Sequence, residues 1–187
     1  MNRLSRHRFV PPLIYVALNL ALAVNAEPSA EDAAPNQSPP PELERIASAV
    51  GVWDITASYR SNPNARIFDG GGVETIRLSP NGHFFISDEH ILSPDGWKNE
   101  LIITTWNQSK KEYRLLHVNN AGDIVEASMV VLGNTRTVLF YSRFEDRLIR
   151  NEMTVEFVSD SEYKFRSVCT DQEKAWVFCE GVGKKRK

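Results

Sequence analysis

The fold this sequence predicts is one antiparallel up-and-down β-barrel of about 8–10 strands, all-β apart from a short N-terminal helix. Three observations predict it. Gly51-x-Trp53 follows a short amphipathic segment. From that point the apolar period changes from 3.6 to 2 and stays there almost to the end of the chain. The runs are separated by turn signals about every 8–12 residues, and the links are too short for the crossovers of a two-sheet sandwich. A meander of this kind exposes unpaired edges unless its first strand meets its last, so closure is the expected end state.

Each segment follows from its residues. Arg3, Arg6 and Arg8 precede an apolar run from Val10 to Val24, and Val24-Asn25-Ala26 offers a cleavage site, so residues 1–26 read as a signal peptide. Pro11, Pro12 and the shortness of the run argue against a stable membrane span, which needs roughly 20 apolar residues. No Cys follows the run, which argues against a lipid anchor. Residues 27–41 hold five prolines and no large apolar side chain, and are expected to form a mobile tether. From Glu42 the positions Leu43, Ile46, Ala47 and Val50 lie at helical spacing, giving a turn or two of helix against one mouth of a barrel spanning residues 42–183.

Trp53 to Tyr59 is the first strand, and Ser61-Asn62-Pro63-Asn64 stops it. Residues 61–72, ending in Gly70-Gly71-Gly72, form the one longer connection and read as a flexible flap. With no strand-to-helix step and no following Lys-Ser/Thr, the glycines are not a phosphate loop. Strands are then expected over Val73–Leu78, Phe84–Ile91, Leu101–Trp106, Tyr113–Val118, Ile124–Leu132 and Thr137–Phe144. Met153, Val155 and Phe157 repeat the alternation, as do Tyr163, Phe165 and Ser167, and Ala175–Cys179 closes the set. Residues 184–187, Lys-Lys-Arg-Lys, read as a solvated basic tail able to make weak contact with anionic surfaces.

Charge and composition exclude several functions. The formal net charge is −2, and losing the three leader arginines makes it more negative, which argues against nucleic acid as a partner. His83, His90 and His117 form no ligand pattern, so no metal and no cofactor is expected. Asp88 and Glu89, Glu145 and Asp146, and Asp160 and Glu162 sit mostly at turns, and nothing in their spacing selects a catalytic pair. Ser87, Ser128 and Ser142 lack a Gly-x-Ser-x-Gly context, and Cys169 lacks a His partner. The chain therefore reads as a binder and not an enzyme; an enzyme needs at least two carboxylates or histidines converging in one pocket. Cys169 and Cys179, in an exported protein, are candidates for a disulfide. Strand parity opposes it: if Tyr163, Phe165 and Ser167 face inward with Trp176 and Phe178, Cys169 joins them and Cys179 points away unless a bulge intervenes.

At Leu43-x-x-Ile46 followed by Gly51-x-Trp53 the chain resembles the calycin superfamily, which includes lipocalins and fatty-acid-binding proteins. More narrowly it is similar to a set of exported bacterial barrels carrying a domain of unknown function, through Gly72-Val-Glu-Thr-Ile, Phe84-Phe85-Ile86, Trp106-Asn107 with Tyr113, and Asn120-Ala121-Gly122. The resemblance implies that Gly51 and Trp53 are structural, Trp53 plugging the closed end under a cation from a late strand, with Arg166 and Lys174 both open as that cation. A haem-binding barrel family begins Gly-x-Trp-x-Gly-x-Gly, and Ile55 and Ala57 depart from it, which speaks against haem.

The inward aromatics decide between two functions. Phe84, Trp106, Tyr113, Phe140, Phe165 and Trp176 line a cavity for a small apolar ligand, with Thr105, Arg114 or Ser142 orienting its headgroup, or they pack together and fill the barrel. The favoured expectation is an exported, periplasmic or secreted bacterial protein that binds a small apolar molecule. The alternative is a filled barrel that docks on an envelope component through residues 61–72 and 94–99.

Overall fold

The computed structural model describes residues 38–144, 147–172 and 174–187. The signal peptide and residues 27–37 of the tether lie outside the described residues. Pro41 in the first turn and the acids Glu42 and Glu44 open a 3-10 helix over Pro41–Ala49. In a 3-10 helix side chains three apart eclipse, so the buried stripe is Leu43, Ile46 and Ala49. The expected α-helical stripe is corrected accordingly: Ala47 and Val50 are exposed. Burying Leu43 and Ile46 contributes roughly 1.5–3 kcal/mol each.

Ten strands follow: β1 (Gly51–Tyr59), β2 (Phe68–Leu78), β3 (Phe84–Ser93), β4 (Gly96–Asn107), β5 (Glu112–Asn119), β6 (Ile124–Leu132), β7 (Thr135–Phe144), β8 (Arg147–Ser159), β9 (Glu162–Asp171) and β10 (Lys174–Lys185). Every strand pairs antiparallel with its neighbours in sequence, and β1 pairs with β10, so the sheet closes into one barrel. The seam aligns Trp53 with Lys185 and Tyr59 with Cys179.

Two expectations are corrected at the seam and beside it. The long flap is shorter than expected, because β2 begins at Phe68 and takes Gly70-Gly71-Gly72 into the sheet. A Cβ on Gly72 would lie 1.9 Å from the His90 carbonyl oxygen, and one on Gly71 2.2 Å from that of Ile55. These glycines let β2 approach β3 and β1 where the barrel coils, so they serve backbone approach and not mobility. The basic tail is also part of the fold. Lys185 N–H donates to the Ser161 carbonyl at 2.9 Å and Arg186 N–H to that of Val52 at 2.8 Å, while Arg186 Nη2 meets Asp54 at 2.6 Å.

The core lies mostly toward the helix end. Leu43 and Ile46 pack with Phe85, Tyr113, Met129 and Val138, and Trp106, Phe140 and Met153 border that cluster. Trp53, Ile55 and Tyr163 form a second cluster beside it. Trp53 is fully buried, with Phe157 edge-on at 6.0 Å and Tyr163 at 4.9 Å. Its indole N–H donates to the Ala49 carbonyl at 2.8 Å. The cation over its ring is Lys185, with Nζ 5.0 Å from the centroid. Arg166 and Lys174 do not fill that role: Arg166 pairs with Glu180 at 3.8 Å, and Lys174 lies by the opposite end of the barrel.

Candidate binding cavity

The floor is built from helix backbone and strand side chains. A 3-10 helix makes poor internal hydrogen bonds and is seldom this long. Here four strands supply donors to its carbonyls. Tyr113 Oη donates to Glu42 at 2.6 Å, Arg136 Nη2 to Ile46 at 3.0 Å, Lys185 Nζ to Ser48 at 3.2 Å and Trp53 Nε1 to Ala49. Above this floor the barrel encloses a cavity of about 1400 Å³. Its mouth is formed at the other end by the β1–β2 loop (Ser61–Asn64), the β5–β6 loop near Asp123 and Ile124, Tyr141 and Leu148 on β7 and β8, and Lys98 and Lys174. The walls are largely apolar, with Ile55, Ile102, Val138, Ile149, Val155 and Phe165 among them.

One rung of the wall is not apolar. Glu74 on β2 stands opposite Glu89 on β3, and Glu89 stands opposite Glu100 on β4. All three line the cavity. Glu74 accepts hydrogen bonds from Ser87 Oγ at 2.6 Å and Tyr163 Oη at 2.7 Å. Burial, then the charges of Glu74 and Glu100, push the Glu89 carboxyl well above the usual carboxylate range, and it hydrogen-bonds Glu74. Glu89 therefore holds a proton against Glu74. Burial, and then the Glu74 charge, also push the Tyr163 hydroxyl up, so that it remains a donor. His117 Nδ1 lies 3.9 Å from Glu100 Oε2, and burial lowers the imidazole's affinity for its proton, which the Glu100 charge only partly offsets. Arg136 faces the same floor with its guanidinium 4.2 Å over the Phe157 ring; burial brings its pKa down to about 10, against the opposing pull of Glu74. Glu89, grouped in the sequence with acids that sit mostly at turns, is instead a strand residue and a member of an interior row.

The structure sorts the six aromatics expected in the lining. Phe140, Phe165 and Trp176 line the cavity. Trp106 and Tyr113 instead pack edge-to-face at 4.9 Å beside the helix, as part of the floor. Phe84 is out of phase by one residue: Phe85, buried at 5% exposure, takes the inward position at the start of β3. Of the polar residues expected among them, Ser142 lines the cavity. Arg114 is engaged by Glu112 and Glu126 at 3.2 and 2.7 Å, and Thr105 Oγ1 donates to the His83 carbonyl at 3.1 Å. His90 stacks on Trp97 at 4.3 Å and lies away from the lining, while His117 belongs to it.

The two cysteines are free and buried, so the expected disulfide is absent. The register shifts between Val177 and Cys179, and with this bulge both Phe178 and Cys179 reach the lining, as does Cys169. Cys169 lies opposite Trp176 and Cys179 opposite Ser167, so the thiols stand on different rungs. Cys169 Sγ donates to Asn151 Oδ1 at 2.9 Å. Among the described residues no three His, Cys, Asp or Glu side chains converge as a metal site, and no helix is long and apolar enough to cross a membrane.

This geometry can be set beside known proteins. No family model matches the chain, and no curated protein sequence matches it. Among solved structures it is similar to the S-type phycobiliprotein lyase CPES from Guillardia theta, with a TM-score of 0.51 and 12% identity over 78% of this chain and 93% of that one. At that identity the likeness is one of fold, a closed antiparallel barrel.

Proposed function

We propose that this chain is an exported small-molecule-binding barrel of the calycin type, and that its ligand is a small, largely apolar molecule held between the Trp53 floor and the open mouth. The cavity carries the reading: about 1400 Å³ exceeds the roughly 300–1000 Å³ typical of ligand sites, and a few polar groups stand among apolar walls, the usual composition of such sites. A barrel filled by its own aromatics, which would favour docking through surface loops, fits this interior poorly. Binding also fits the carboxylate row better than catalysis does, since the Glu89 proton and both Glu74 oxygens are already engaged within the protein. The three leader arginines and the apolar run after them support export.

Native mass spectrometry of freshly purified protein, with titration by the neutral dye Nile red, tests the binding. A co-purifying mass or saturable dye binding is expected, and Ala127→Trp, at a residue that lines the cavity beside the helix, is expected to weaken it, with far-UV circular dichroism checking that the barrel stays folded. Absence of both signals removes the ligand reading and favours docking. Export is tested separately by the N-terminus of protein recovered outside the cytoplasm, expected at Glu27; full-length protein confined to the cytoplasm refutes it.

A further inference from the structure

We infer that the occupant of this cavity is an amphiphile whose polar end carries a hydrogen-bond-donating nitrogen, an amine or its protonated form, seated against Glu100 and the Glu74–Glu89 pair. This rests on reading the cavity as a ligand site and adds the chemistry of what fills it. The apolar walls require most of the molecule to be hydrocarbon. The polar rung then fixes the other end, because acceptors outnumber free donors there; the donor of the wall without a partner among the described residues, the Trp176 indole N–H, stands on a rung nearer the mouth. Tyr163 and Ser87 each satisfy one oxygen of Glu74, and Glu89 spends its proton on the same partner. Glu100 has no such complement. Its contact is His117 at 3.9 Å, an imidazole that burial keeps short of a proton, and no lysine or arginine among the described residues forms an ion pair with it. A carboxylate facing an enclosed, mostly apolar space without a cation is costly, and a donor nitrogen offsets that cost.

Arg136 is the group that argues for an anionic ligand, and its surroundings weaken that case. Its Nη2 is committed to the Ile46 carbonyl at 3.0 Å and its face lies on Phe157, while Glu74 acts on its charge from beyond ion-pair distance. An alkyl carboxylate reaching this floor would meet Glu74 and Glu100 with like charge. Of the other cations lining the cavity, Lys98 stands one rung from Glu100 on β4 and pairs with Asp95 at 3.7 Å, and Lys174 and Arg147 belong to strand ends at the mouth.

The test is displacement of Nile red from the full chain by four ligands with the same dodecyl tail: dodecylamine, dodecan-1-ol, dodecanoate and dodecyltrimethylammonium. The amine is expected to bind roughly ten- to hundredfold tighter than the alcohol and the carboxylate, the range of a charge-assisted hydrogen bond. The trimethylammonium ion, charged but without an N–H, is expected to lose most of that advantage. Glu100→Gln is expected to weaken the amine most and so bring amine and alcohol to within about threefold. Dodecanoate binding as tightly as the amine overturns the inference, as does trimethylammonium matching the amine, or an amine preference that survives Glu100→Gln. If that variant does not fold, the wild-type comparison among the four ligands decides alone. Where the alcohol binds and the amine has no advantage, this inference falls and the cavity reading stands; where neither the dye nor any of the four binds, both fall.

Discussion

Replacing Trp53 with Phe removes a defined set of interactions and leaves the rest of the floor in place. The indole is fully buried and donates to the Ala49 carbonyl at 2.8 Å. Phenylalanine cannot make that bond, and an unpaired buried carbonyl costs about 1–2 kcal/mol. The smaller ring also leaves a void of roughly 40 Å³, worth about 1 kcal/mol at the usual cavity coefficient, beyond the lost transfer energy of the missing atoms. Weakening the contact with Lys185, whose Nζ sits 5.0 Å from the ring centroid, adds about 0.5 kcal/mol. The expected loss is about 2–4 kcal/mol, a fall in Tm of roughly 5–15 °C for a domain of this size. Urea and thermal unfolding followed by far-UV circular dichroism measure it without relying on the fluorophore being removed. Lys185→Met, which keeps the aliphatic stem but loses the charge and the bond to Ser48, is expected to cost about 1 kcal/mol alone and measurably less in the Trp53→Phe background. If Trp53→Phe unfolds within about 0.5 kcal/mol of wild type, or the two losses simply add, the indole is not the plug described above.

The interior carboxyl gives a pH signature. Because Glu89 keeps its proton above the ordinary value of 4.5, the unfolded chain releases a proton there that the folded chain retains, so its contribution to stability is lost as pH rises past 4.5. Glu89→Gln is therefore expected to gain stability relative to wild type as pH rises above 4.5, read from urea midpoints; parallel profiles would refute the assignment. Burial pushes the Cys169 thiol up to about 11 and the Cys179 thiol up to about 12, so a thiol reagent is expected to modify neither in native protein and both after denaturation without reductant. Recovery of no thiols in that denatured sample means the two are bridged. Gly72→Ala, whose Cβ would lie 1.9 Å from the His90 carbonyl oxygen, is expected to cost more than about 3 kcal/mol or prevent folding, whereas Gly122→Ala, with open space but φ +87°, is expected to cost only about 1 kcal/mol.

Architecture was legible in the sequence because a period of 2 broken by turn residues needs no knowledge of distant partners. Trp53 was legible as the plug through the resemblance carried by Gly51-x-Trp53, and not from the pattern of its own strand. The failures arose where a single residue resets the phase. Phe84-Phe85 offers two equivalent aromatics, and the turn before them decides which faces inward. The bulge after Val177 brings Cys179 to the lining, against simple alternation. The glycine triplet read as a loop because composition alone cannot separate freedom from crowding; only a neighbouring carbonyl at 1.9 Å does. The carboxylate row had a faint signal. Glu74, Glu89 and Glu100 each sit two residues from an inward aliphatic, at Ile76, Ile91 and Ile102, so each carboxyl occupies an apolar phase. That they share one rung depends on register between strands, which no single strand's sequence contains.

The stopper beneath the cavity has a consequence for traffic. Side chains from four strands grip the short helix by its carbonyls, so swinging it aside would strand four donors at once. The vessel is therefore blind at that end, and whatever enters must leave by the same door. On the proposed binding reading, release rates then belong to the hairpins around the opening, and changes at Ser61–Asn64 or Tyr141 are the ones expected to alter how long a guest stays without altering how tightly the depths hold it.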